Sequence, residues 1–142
     1  MIEYITGGEE ASFSLAAVVT GPGRWVHVAG QVGFGDDGVV VGGGVAAEAD
    51  TTFDHIERIL GRVGGDLTHV VRMGVSLTSL DEYAEFARIR KQRFPNGLPA
   101  STAVQVAGLL VGASIEIDAV AFVPPADDGA DLQANTEGQS HG

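Results

Sequence analysis

Two stretches of helical period, each flanked on both sides by strand-like runs, restrict this chain more than any other feature. In AAEADTTFDHIERILGRVGG, Phe53, Ile56, Leu60 and Val63 recur at helical spacing, with acidic residues early and Arg58 and Arg62 late, a polarity that suits the helix dipole. Gly64-Gly65 supplies the stop. A second helix is predicted over 81–93, with Tyr83, Phe86, Ala87 and Phe94 along one side and Phe94-Pro95-Asn96-Gly97 closing it. Strands are predicted over 69–77, 102–106 and 115–123; in the last, Ile115, Ile117, Ala119 and Ala121 alternate with Glu116, Asp118 and Val120. Nearer the start, 13–19 and 25–29 are apolar runs separated by Thr20-Gly21-Pro22-Gly23, which predicts a hairpin, and a short strand is expected at 39–41. The resulting order, β-β-(β)-α-β-α-β-β, defines an α+β fold with two helices on one face of a mixed sheet. The other face is expected to be apolar and to need cover, which a second subunit could give.

The 142 residues suffice for one core, so a single domain over 1–124 is expected, followed by an acidic tail over 125–142. That tail, beginning PADDGADLQA, carries Asp127, Asp128, Asp131 and Glu137, no Lys or Arg and almost nothing apolar, a composition of disorder. No apolar run is long enough for a membrane span. The opening Met-Ile-Glu-Tyr-Ile lacks the basic and apolar regions of a secretory signal, which makes the cytoplasm the default expectation. Nineteen acidic against eight basic residues give a net charge of −11, which repels phosphate backbones and argues against a nucleic-acid partner. The chain contains no cysteine, so thiolate catalysis and sulfur-ligated metals are excluded.

Several local patterns have ordinary readings. Gly33-Phe34-Gly35-Asp36-Asp37-Gly38 matches GxGxxG, but Val39-Val40-Val41 follows where a helix should open, and two aspartates would face a pyrophosphate. It reads as a turn. His27, His55 and His69 fall into no ligand spacing, so neither a metal nor a cofactor is expected. His27 is expected to be partly buried and hydrogen-bonded. The run Arg88, Arg90, Lys91, Arg93 reads as a solvated face with ion pairs to Glu85 or Asp81. Arg90 follows Tyr83 by seven residues, on the stripe that otherwise points inward. It is expected to snorkel to solvent, with a role as a carboxylate-binding arginine as the alternative.

Three separated segments, VHVAGQV at 26–32, VVRMGVSLTSLDEYAEF at 70–86 and LPASTAVQVAGLLVGASIEIDAVA at 98–121, resemble the Rid (YjgF, reactive intermediate deaminase) family over residues 12 to 123. The resemblance implies a homotrimer of chorismate-mutase-like subunits with small-molecule clefts at the subunit interfaces. It also implies hydrolysis of the reactive enamines and imines released by pyridoxal-phosphate enzymes, such as 2-aminoacrylate, to 2-oxo acid and ammonia. In active members an arginine in the strand motif P-A-R-[ST] holds the substrate carboxylate. Here the motif reads Pro99-Ala100-Ser101-Thr102, followed by Ala103, with serine in the arginine's place. Phe13 stands where many members have tyrosine, Ala29 where many have serine, and Ala87 where many have asparagine. Glu116 matches the carboxylate thought to hold the hydrolytic water, and Gly30 and Gln31 match the family's loop. Weak or no activity on 2-aminoacrylate is therefore expected, with a non-catalytic metabolite-binding protein as the alternative.

The tail generates the first prediction. Truncation after Pro125 should leave assembly and melting temperature unchanged, because so polar a segment buries too little to offset its ordering entropy. Loss of assembly on size-exclusion chromatography, or a clear fall in melting temperature, would contradict it.

Overall fold

A computed structural model describes residues 1–126. Beyond the first two positions of the expected tail, the segment called disordered lies outside the described residues. Among the described residues six strands form one sheet: β1 (Ile2–Thr6), β2 (Ser14–Val19), β3 (Arg24–Gln31), β4 (Val70–Leu77), β5 (Ala100–Gln105) and β6 (Ile115–Val123). Their order is β1-β2-β5-β4-β6-β3. β5 is parallel to both β2 and β4, and the remaining pairs are antiparallel, so the sheet is mixed as expected. Helices α1 (Gly44–Gly61) and α2 (Tyr83–Arg93) supply Phe53, Ile56, Leu60, Phe86 and Ile89 to one core. That core packs on Met73, Val75 and Leu77 of β4 and Ile115, Ile117 and Ala119 of β6.

The expected hairpin between 13–19 and 25–29 does not form. β2 pairs instead with β1, a strand the sequence reading passed over, while β3 crosses to the far side of the sheet and pairs with β6. Gly23 shows what makes the crossing feasible. A Cβ placed there would stand 2.4 Å from the Phe122 ring and 2.9 Å from the Val123 carbonyl, so the chain enters β3 only where no side chain intervenes.

Other boundaries moved for local reasons. The strand expected at 39–41 is a single bridge, Phe34 to Val40, closing the tight turn where Gly35 N–H donates to Val39 and Gly38 takes a positive φ. α1 starts at Gly44, so no acid falls in its first turn. Glu48 is buried and accepts from the Ser114 amide at 2.9 Å, which ties α1 to the loop before β6 rather than serving the dipole. Residues 80–82 wind as a 3₁₀ turn, with the Ser79 hydroxyl accepting from the Asp81 amide, before α2 proper begins.

The face of the sheet turned away from the helices is not the apolar surface expected. β4 and β6 present Arg72, Ser76, Glu116 and Asp118 there, and exposed apolar side chains such as Trp25 and Val104 flank them. His27, expected to be partly buried, is exposed; its strand position opposes Val120 on this same open face.

Replacing Gly23 by Ala should lower the unfolding free energy by about 1–3 kcal/mol, the usual range for forcing atoms into a packed site. Urea denaturation measures it. An unchanged midpoint would mean that the β3 entrance has room the geometry denies.

Candidate functional site

Seven residues make two helical turns, so Tyr83 and Arg90 lie on one face of α2. Arg90 is fully buried and does not snorkel. Its Nε–H donates to the Ser12 carbonyl at 2.7 Å and one Nη1–H to Ser101 Oγ at 2.9 Å. Its Nη2 group donates to Ser12 Oγ at 3.0 Å and Tyr83 Oη at 2.8 Å. Aromatic faces complete the enclosure, with the guanidinium carbon 4.7 Å from the Phe86 ring centre and 5.4 Å from that of Phe13. Neutral acceptors and π-faces together compensate the loss of water, which is why the expected escape to solvent is not taken. Among the described residues no carboxylate pairs with this cation, whereas Arg88 pairs with Glu85 as expected and Arg93 with Asp50 and Asp54.

In front of Arg90 lies an open groove of about 430 Å³ lined by Phe13, Leu80, Tyr83, Ser101 and Ala103. Three parts of the chain meet there: the segment leading into β2, the start of α2 and strand β5. Ser101 and Ala103 oppose the core residues Met73 and Val75 on the neighbouring β4, so they lie on the helix side of the sheet.

The other sequence-derived residues gather elsewhere. Glu116 is half-buried on the open face, beside Ser76, and its carboxyl group lies against Gly30, where an added Cβ would stand 2.8 Å from Glu116 Cδ. Ala29 is exposed, and Gln31 Nε2 turns back to donate to the Ala29 carbonyl at 3.1 Å. Thr102 is exposed and shares the open face with Glu116, being paired with Gly74. Ala87 is half-buried on α2 and does not line the groove. Within one protomer the candidates therefore fall into two groups on opposite faces of the sheet. Ser12, Leu80 and the hydroxyl of Tyr83 were missed. The spacing from Tyr83 to Arg90 pointed toward the last, whereas nothing local to Ser12 marks it.

Residues 9–123 match the family described as endoribonuclease L-PSP. The chain belongs to that family, the Rid/YjgF group. Among curated relatives, the human 2-iminobutanoate/2-iminopropanoate deaminase is 39% identical over 103 residues, covering 72% of this chain and 75% of that protein. Among solved structures, RidA from the Antarctic bacterium Psychrobacter sp. PAMC 21119 superimposes with a TM-score of 0.68 at 29% identity, covering 85% of this chain and 99% of that one. Rv2704 of Mycobacterium tuberculosis, from the YjgF/YER057c/UK114 family, gives 0.62 at 30% identity, covering 87% and 100%.

Gly30→Ala should displace the Glu116 carboxyl group while changing stability by less than about 1 kcal/mol, because the far end of a flexible side chain can yield. The carboxyl carbon shift of Glu116 by NMR, read beside the melting temperature, checks this. An unmoved resonance would show that the two groups are not in contact.

Proposed function

We propose that this protein is a divergent imine or enamine deaminase that forms a homotrimer, binds a small organic substrate in clefts between subunits and acts only slowly on 2-aminoacrylate. The observation that carries the reading is the position of Arg90. A buried guanidinium stands directly behind Ser101, so positive charge persists beside the point of the strand where active relatives carry arginine, although it arrives from a helix and is screened by hydroxyl groups.

The division of the candidates between two sheet faces supports a site completed by a second subunit. Glu116 and the Ser101 groove face opposite ways in one protomer, so a neighbour placed against the open face would bring one subunit's carboxylate toward another's groove. Exposed Val104, Trp25, Leu110 and Val111 offer apolar surface for that contact. In the reaction, water adds to the electrophilic imine carbon, the C–N bond breaks, and nitrogen leaves as ammonia to give a 2-oxo acid. Glu116 orients the water, accepts a proton from it and returns that proton to the departing nitrogen, which regenerates the carboxylate. No cofactor enters this scheme.

Two measurements test the reading. Light scattering should give three times the 14.6 kDa chain mass, and a monomer at micromolar concentration would remove the interfacial site. Ammonia release from 2-aminoacrylate, generated by a pyridoxal-phosphate dehydratase, should run roughly 30- to 1,000-fold slower than with the human deaminase, since a bidentate ion pair with arginine has become hydrogen bonds from uncharged hydroxyls. Equal rates would overturn the slow reading. Release no faster than the spontaneous reaction, on imines of several side-chain sizes, would favour the metabolite-binding alternative.

A further inference from the structure

The donors of Arg90 also orient the hydroxyls around it, with a consequence for the ligand that rests on the small-molecule pocket proposed above. A guanidinium has only donors, so each oxygen it touches must accept from it. Ser101 Oγ and Tyr83 Oη each receive an Arg90 N–H, at 2.9 and 2.8 Å. Each hydroxyl has a single hydrogen, which must therefore point away from Arg90, and among the described residues neither hydroxyl donates to a protein acceptor. Both residues line the same groove.

We infer that the Ser101 and Tyr83 hydroxyls, oriented and polarised by the buried Arg90 behind them, form the subsite that receives the ligand's carboxylate. Two features favour an anion over a neutral carbonyl. The guanidinium is permanently charged and has no carboxylate partner among the described residues, so an anion entering the groove supplies the missing countercharge. Its field also acts through protein rather than bulk water, where charge–charge attraction is several-fold stronger. Ser12 and the π-faces of Phe13 and Phe86 hold the cation in place, so Arg90 is a positioning residue that acts through the two hydroxyls. Phe13, Leu80 and Ala103 are left to meet the apolar part of the ligand.

The test is an NMR titration of the intact protein with 2-oxobutanoate, the hydrolysis product of 2-iminobutanoate, and with its neutral counterpart 2-oxobutanamide. The native protein should bind the carboxylate at least about tenfold more tightly than the amide. Tyr83→Phe and Ser101→Ala should each weaken carboxylate binding by roughly 10- to 100-fold, the range for a hydrogen bond to a charged group, and change amide binding far less. Ser101→Thr, which keeps the hydroxyl, should restore it. Melting temperatures identify any variant that has merely lost its fold, and the Ser101→Thr rescue still decides the matter if Tyr83→Phe proves unstable. Unchanged carboxylate affinity in folded Tyr83→Phe and Ser101→Ala, or an amide bound as tightly as the acid, overturns the hydroxyl subsite and leaves the pocket standing. Failure of the native protein to bind either compound removes the subsite and the small-acid reading of the pocket together.

Discussion

The guanidinium of Arg90 joins parts of the chain that are far apart in sequence: the segment entering β2, the first turn of α2 and strand β5. A buried cation cannot be left short of acceptors without a penalty of several kcal/mol, so these three pieces are bound to keep their mutual positions. The same requirement shapes the groove. Phe13 and Tyr83 are held against the guanidinium, and their outer surfaces become its walls. Structural support and binding surface are thus two sides of a single layer of residues.

Much of the fold was legible because it rests on periodicity. The alternation from Ile115 to Ala121 placed β6 correctly, and the apolar stripe from Phe53 to Leu60 fixed which side of α1 enters the core. Errors arose where non-local pairing decides. The Thr20–Gly23 turn looks like a hairpin by composition, yet β2 and β3 find different partners, because pairing is settled by which apolar faces can be buried together rather than by the nearest turn. β1, with Glu3 exposed between the half-buried Ile2 and Tyr4, offers too short an alternation to stand out, and it is held by β2 and by the bond from Tyr4 Oη to the Val70 carbonyl.

The site was legible in part. Motif position led to Ser101, Gly30 and Glu116, and helical spacing led to Arg90. What spacing could not supply was the energetic choice between solvent and burial for a long cationic side chain. That choice depended on Ser12, some eighty positions earlier in the chain, whose carbonyl and hydroxyl both accept from Arg90. The open face illustrates the opposite limit. Burial of alternate β6 residues was read correctly, while the character of the uncovered side depended on Arg72 and Ser76 from another strand.

β2 touches β5 through only one registered pair, Ser14 with Ala100, whereas β4 runs beside β5 through six, from Arg72 to Leu77. The sheet therefore has a seam. The β1–β2 ribbon is fastened across it by few contacts, chiefly the Ser14 amide to the Pro99 carbonyl, the Ser12–Arg90 bonds and the Tyr4 hydroxyl to the Val70 carbonyl. Cooperative units of low stability in folded proteins are those with few such cross-links, so any local opening would start at the ribbon, against the acceptor requirement of Arg90, before it reached β4, β6 and the helices. Amide deuterium uptake would then be fast and uniform along β1 and β2. Because Ser12 and Phe13 travel with the ribbon, each opening would briefly bring water to a cation that the closed protein keeps dry.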